Sequence, residues 1–173
     1  MRKFLFATIM GLFALQLNAQ TEQGKLLLGA GSNSGLSFQS QDGVEDNQVA
    51  FSLNAQGGYF FIDNLVTGLN LGFNTSSQGD FSNTNLSIGP FARYYFDNVF
   101  FGANFSLVNN NSDNGVSDFS ANGSLLGLEL GYAAFLNNNI AIEPALTYFN
   151  TNGDFDGLTG FSLNIGFSIY LAP

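Results

Sequence analysis

From Lys25 onward, large apolar residues recur at every second position. Val49, Phe51, Leu53, Ala55, Tyr59 and Phe61 share one parity, with Ala50, Ser52, Asn54, Gln56 and Gly58 between them. Leu65, Thr67, Leu69, Leu71 and Phe73 alternate with Gly68, Asn70 and Gly72 in the same way. The pattern continues through Leu86–Phe96, Val99–Leu107, Leu126–Tyr132, Ile140–Tyr148 and Phe161–Leu171, and less cleanly through Leu26–Phe38. A period of two predicts half-buried strands, and no segment beyond residue 24 shows a helical period. The count is eight strands. Each is long enough to cross a bilayer at a tilt, which takes about 9–11 residues.

The connections alternate in length. Three are short and rich in Asp and Asn, in "YFFIDNLVTG", "YYFDNVFFG" and "AFLNNNIAIE". Four are long and polar: "QSQDGVEDNQ", "NTSSQGDFSNT", "NNNSDNGVSDFS" and "NTNGDFDGLT". This predicts an all-β, eight-stranded antiparallel up-and-down transmembrane barrel with short periplasmic turns and longer polar extracellular loops. Parity also distinguishes the short turns. Phe96 and Val99 face the same way, so two residues join them. Phe61 to Leu65 and Leu136 to Ile140 each leave three, which predicts a left-handed Asn and a bulge.

Charge identifies the wet face. The large apolar parity carries no charge on any predicted strand, whereas Lys25, Arg93, Glu129 and Glu143 all fall on the small, polar parity. Arg or Lys facing lipid at mid-bilayer costs roughly 2–4 kcal/mol, so the uncharged face is assigned to hydrocarbon. The Gly-, Ser- and Asn-rich face then fills a lumen too narrow for a wide channel. The four charges are expected to form a lumen ion-pair cluster centred on Arg93, with Glu143 its best-placed partner and Glu129 nearer mid-height. Such a cluster serves either as a plug or as a gated proton or ion path. Outward aromatics fall at two heights. Tyr59, Phe61, Tyr94, Phe96, Phe101 and Tyr132 lie near the short turns, and Phe38, Phe51, Phe73, Phe105, Tyr148 and Phe161 near the long loops, as interfacial girdles do.

Composition narrows the chemistry. Arg2 and Lys3, the apolar run Phe4–Leu17 and the small Ala19 have the layout of a secretory signal peptide over residues 1–19. Residues 20–24 then form a short N-terminal segment, and 25–173 the barrel. Charged residues are 10% of the chain, against roughly 25% in soluble domains. The net charge is −9, and beyond the signal the cations are Lys25 and Arg93, so there is no basic patch for nucleic acid. With no Cys and no His, Cys nucleophiles and His general bases are excluded, and no catalytic constellation is visible. "NGDFDG" places Asn152, Asp154 and Asp156 as half of a calcium loop, but the required later acid is replaced by Leu163. Turn chemistry accounts for the same residues. No cofactor is expected.

This pattern resembles the small eight-stranded outer-membrane barrels, the OmpA transmembrane domain and OmpX class, grouped as porin-like outer-membrane β-barrel proteins. The closing strand "GFSLNIGFSIYLAP" carries part of the resemblance, although Leu171-Ala172-Pro173 stands where a terminal aromatic is usual. The resemblance implies export to the cell outer membrane and contact with membrane lipid and lipopolysaccharide. It also implies recognition by the outer-membrane assembly machinery through the C-terminal strand. The family hosts several activities. The expectation is a non-enzymatic barrel with a structural or surface-interaction role through its acidic loops, the surface ligand being left open. A narrow channel or small-solute transporter is the alternative, and a soluble calycin-like barrel is the competing architecture.

Overall fold

The structure is a computed structural model that describes residues 20–31, 34–39, 47–155 and 157–172. The expected signal peptide, most of the first long loop, Asp156 and Pro173 lie outside the described residues. The strands are β1 (Leu26–Gly31), β2 (Gly35–Gln39), β3 (Gln48–Ile62), β4 (Leu65–Gln78), β5 (Phe81–Phe96), β6 (Val99–Asp113), β7 (Asp118–Tyr132), β8 (Ala134–Phe135), β9 (Ile140–Gly153) and β10 (Thr159–Leu171). Each pairs antiparallel with its neighbour, and β1 pairs with both β10 and β3, which closes the sheet on itself. β1 and β2 form one stave, as do β7 and β8, giving a closed eight-stave up-and-down barrel.

The first stave is irregular for a local reason. Ala30 pairs with Ala55, whereas Gly35 pairs with Ser52, so the register against β3 slips by two residues between them. A slip of two preserves which side chains face out, whereas a slip of one would invert them. At the slip the Ser34 hydroxyl replaces a backbone rung. It accepts from the Asn54 N–H at 2.8 Å and donates to the Asn54 carbonyl at 3.2 Å.

The short-turn end is built by its asparagines. Asn64 and Asp97 are the non-glycine residues with positive φ among the described residues, at 65° and 53°. A register shift between Phe60 and Ile62 supplies the bulge expected before Asn64. The third turn departs from expectation: its chain stays at negative φ. Instead the Asn137 side chain accepts from the N–H of Asn139 at 2.9 Å and of Ile140 at 3.0 Å. That side-chain turn makes a left-handed residue unnecessary. All three turns share one further role. The carbonyls of Asn64, Asn98 and Asn139 accept from the amides of Tyr95, Ala133 and Tyr170 at 2.9, 2.7 and 2.7 Å. Each turn therefore caps the end of the next hairpin, which is the structural content of the repeated Asp/Asn stretches.

At the opposite end, much of the long polar connections is strand. β4 runs to Gln78 and β5 starts at Phe81, so Gly79-Asp80 alone turns the chain. β6 and β7 stay paired to Asp113 and Asp118 across a turn held by the Asn114 side chain. Cross-strand amide and hydroxyl pairs replace apolar contacts there, including Asn83 to Ser112 at 2.6 Å and Asn109 to Asn122 at 2.7 Å. The stretches expected as long loops are therefore largely ladder, and the β4–β5 connection is a two-residue turn, as short as that at Asp97-Asn98. The polar stretches read as loops because their residues are poor strand formers, but the ladder begun in the apolar zone continues through them.

The outward face carries Leu69, Leu71, Ile88, Leu107, Leu128 and Ile165, all exposed. Rings meet in edge and tilted contacts at both heights, Tyr94–Phe96 at 4.7 Å near the short turns and Tyr148–Phe161 at 5.4 Å near the other end. Such a continuous apolar belt is far larger than a soluble monomer exposes.

Candidate functional site

The lumen is filled in layers. Arg93 on β5 projects inward and is separated from Glu129 on β7 by the intervening stave β6, where the register places Gly102. A Cβ at Gly102 would lie 2.8 Å from the Glu129 carboxyl carbon, so the missing side chain is what lets the two ions meet. The guanidinium Nε and Nη2 both donate to Glu129, the latter at 3.2 Å. Nη1 donates to Glu143 on β9 at 3.0 Å. Glu143 also accepts from the Ser168 hydroxyl at 2.8 Å and from the Tyr170 hydroxyl. The guanidinium carbon sits 4.6 Å from the Phe100 ring centroid, a cation–π distance. Buried charges are tolerable when paired and hydrogen-bonded in this way.

Of the four charged residues the alternation placed inside, the structure brings Arg93, Glu129 and Glu143 together. Lys25 stands just ahead of β1, half-buried, and its carbonyl accepts from the Phe60 N–H at 2.9 Å. Both carboxylates engage Arg93, with Glu129 receiving two of the three bonds.

Between this cluster and the short turns lies a layer that the alternation did not reveal. Phe60, Tyr95, Phe100 and Tyr170 are fully buried, 0–1% exposed, and pack with Leu27, Val66 and Phe135. Ring centroids are 5.0–6.3 Å apart, and the Tyr95 and Tyr170 hydroxyls lie 3.1 Å apart. The lumen is thus polar over part of its height and aromatic at the short-turn end. The signal was present, since each of these aromatics falls on the inward parity of its own strand, as Tyr95 does with Arg93 on β5 and Tyr170 with Ser168 on β10. Gly131 leaves the space that the Phe100 ring occupies, a Cβ there meeting ring carbons at 2.7 Å.

Residues 20–24 seal the outside of this layer. Gln20 and Thr21 are buried. The Thr21 carbonyl accepts from the Asn64 N–H at 2.7 Å, and the Thr21 hydroxyl donates to the Asn64 side chain at 2.5 Å. The Gln23 N–H bonds Asp63 at 2.8 Å, and the Gly24 N–H bonds the Phe60 carbonyl at 2.9 Å.

On the other side of Arg93 is a cavity of about 320 Å³. Its walls include Asn54, Gln56, Asn70, Ser87, Asn104 and Thr147, and its floor Arg93 and Glu129. The calcium candidate lies elsewhere. Asn152 is on β9, Asp156 is outside the described residues, and the Asp154 carboxylate accepts from the Asn122 N–H at 2.7 Å. No group of three His, Cys, Asp or Glu side chains converges as a metal site among the described residues.

No protein-family model matches the sequence, and a search of curated proteins found no match either. Solved structures do match. Neisserial surface protein A superposes with a TM-score of 0.59 at 20% identity, covering 85% of this chain and 97% of that one. The N-terminal β-barrel domain of Pseudomonas aeruginosa OprF gives 0.54 at 12% identity, covering 86% and 98%. The Yersinia pestis outer membrane protein Ail gives 0.50 at 12% identity, covering 86% and 100%. At these identities the likeness is one of fold. The chain has the fold of the small eight-stranded outer-membrane β-barrels.

Proposed function

We propose that this protein resides in the cell outer membrane as a barrel with a structural or surface-interaction role, its lumen closed to through-traffic. The observation that carries this reading is the fully buried layer of Phe60, Tyr95, Phe100 and Tyr170 beneath the Arg93 cluster. The apolar belt is read as lipid-facing and the polar rim as facing lipopolysaccharide. Strand β10 is read as the segment presented to the assembly machinery. The exposed acidic side chains at the long-connection end, Asp80, Asp113, Asp118 and Asp154, are the surface available to other cells or polymers. No catalytic role is assigned.

Vesicle swelling tests the closed lumen. Vesicles containing the refolded protein should swell in sugar solutions no faster than empty ones, and a Phe60→Ala/Tyr170→Ala double variant should swell faster. Rapid swelling with the unaltered chain would replace this reading with the narrow-channel one.

A further inference from the structure

We propose that the cavity beside Arg93 is a binding site for an uncharged, hydroxyl-rich solute of about monosaccharide size. The site rests on the closed-lumen reading, because a dead-ended chamber can hold a solute that a pore would pass.

The cavity's volume, about 320 Å³, sits at the lower end of small-ligand pockets. It corresponds to roughly ten waters. Its lining includes Gly29 and Gly31 on β1 and Gly72 on β4, which add no side chain to the lumen. A Cβ at Gly29 would already meet the Gln56 side chain at 2.6 Å.

The walls present amides and hydroxyls, which supply both donors and acceptors, as a polyol requires. One donor is open. The Asn54 side-chain nitrogen is buried and has no hydrogen-bond partner among the described residues. A buried donor without a partner costs about 1–3 kcal/mol unless water or a ligand meets it. The Asn54 backbone is already held by Ser34, so the side chain is aimed by a fixed strand.

Charge selects the ligand class. The charged lining groups, Arg93, Glu129 and Glu143, bond one another. An ionic solute would have to break that pairing or lose its hydration without a counter-charge. A neutral solute exchanges water hydrogen bonds for wall hydrogen bonds.

The test uses the refolded full chain in detergent micelles, with amide NMR shifts followed during titration by glucose, glucuronate and glucosamine. Saturable shifts at Gly29, Gly31 and Gly72 with glucose, at a dissociation constant in the millimolar range, are expected. Both charged analogues should bind at least tenfold more weakly. Asn54→Leu and Asn70→Leu, each checked for folding by its shift on boiling in a denaturing gel, should weaken glucose at least tenfold. Shifts that do not saturate, charged analogues that bind as well, or two folded variants that bind unchanged would each overturn the site. Vesicle swelling keeps the two readings apart. Saturable binding with rapid swelling removes the closed lumen, and no binding with no swelling removes the site alone.

Discussion

Replacing Arg93 by Ala takes the cation from between two carboxylates that cannot move away, because β7 and β9 are fixed by their ladders. Side-chain exposure is 9% for Arg93, 12% for Glu129 and 2% for Glu143. Glu143 keeps Ser168 and Tyr170 as donors but loses its cation. Glu129 loses both of its bonds to Arg93, and being the more exposed it recovers part of the loss from water. Breaking a buried pair by removing one partner costs about 3–5 kcal/mol, chiefly through the uncompensated charge. At 1.4 kcal/mol per decade this lowers the folding constant by roughly two to three and a half orders of magnitude.

The control is a triple variant, Arg93→Met/Glu129→Gln/Glu143→Gln, which removes every charge in the cluster. Replacing a whole buried network by neutral groups of similar volume is often near neutral. The triple variant should therefore recover most of the loss, retaining a deficit of about 1 kcal/mol from the cation–π contact with Phe100. The assay is urea unfolding of vesicle-inserted protein. Tyrosine fluorescence is the probe, because the chain has no Trp and Tyr95 and Tyr170 lie in the plug. The gel shift on boiling is the second probe. A loss below about 1 kcal/mol for Arg93→Ala, or a triple variant no more stable than the single one, would refute the reasoning.

Three further outcomes follow from particular contacts. Gly102→Leu should lower stability by about 1–3 kcal/mol through overpacking against Glu129, measured by the same urea titration. Asn64→Val should cost about 1–3 kcal/mol, because a β-branched residue is strained at a φ of 65° and the Thr21 contact is lost. Asn64→Gly should cost less, since it keeps the backbone conformation. Leu71→Arg, in the middle of the outward belt, should cost about 2–4 kcal/mol, and Thr84→Arg, nearer the polar rim, about 0–1 kcal/mol. Equal costs at the two positions would mean that the outward face does not meet lipid.

Much of this molecule is legible in one dimension. Which residues face out follows from a period of two, a property of the strand itself, and the closed barrel bears out that parity from Leu26 to Leu171. The short turns follow because Asp and Asn clusters interrupt the period, and parity counts the residues between strands. The third turn shows the limit of that counting. Three residues fit either a left-handed Asn or a side-chain-bonded turn, and the Asn137 side chain decided for the latter. The polar stretches Asn74–Thr84 and Asn109–Ser120 were unreadable as strand for a similar reason. Their residues favour loops locally, and only the neighbouring staves hold them extended.

The interior required the third dimension. Alternation assigns a side chain to the lumen but not what lies across it. That depends on strand tilt and stagger, which are set when the sheet closes. Arg93 and Glu143 are 50 residues apart in sequence and meet because β1 joins β10. Phe60, Tyr95, Phe100 and Tyr170 lie on four different staves and become one layer only after closure. The sequence alone determined a barrel, its outward face and the parity of its charges. Tertiary structure decided that the inward side chains form an aromatic layer at the short-turn end and leave a hollow beside Arg93, because contacts across a lumen belong to the closed sheet and to no single strand.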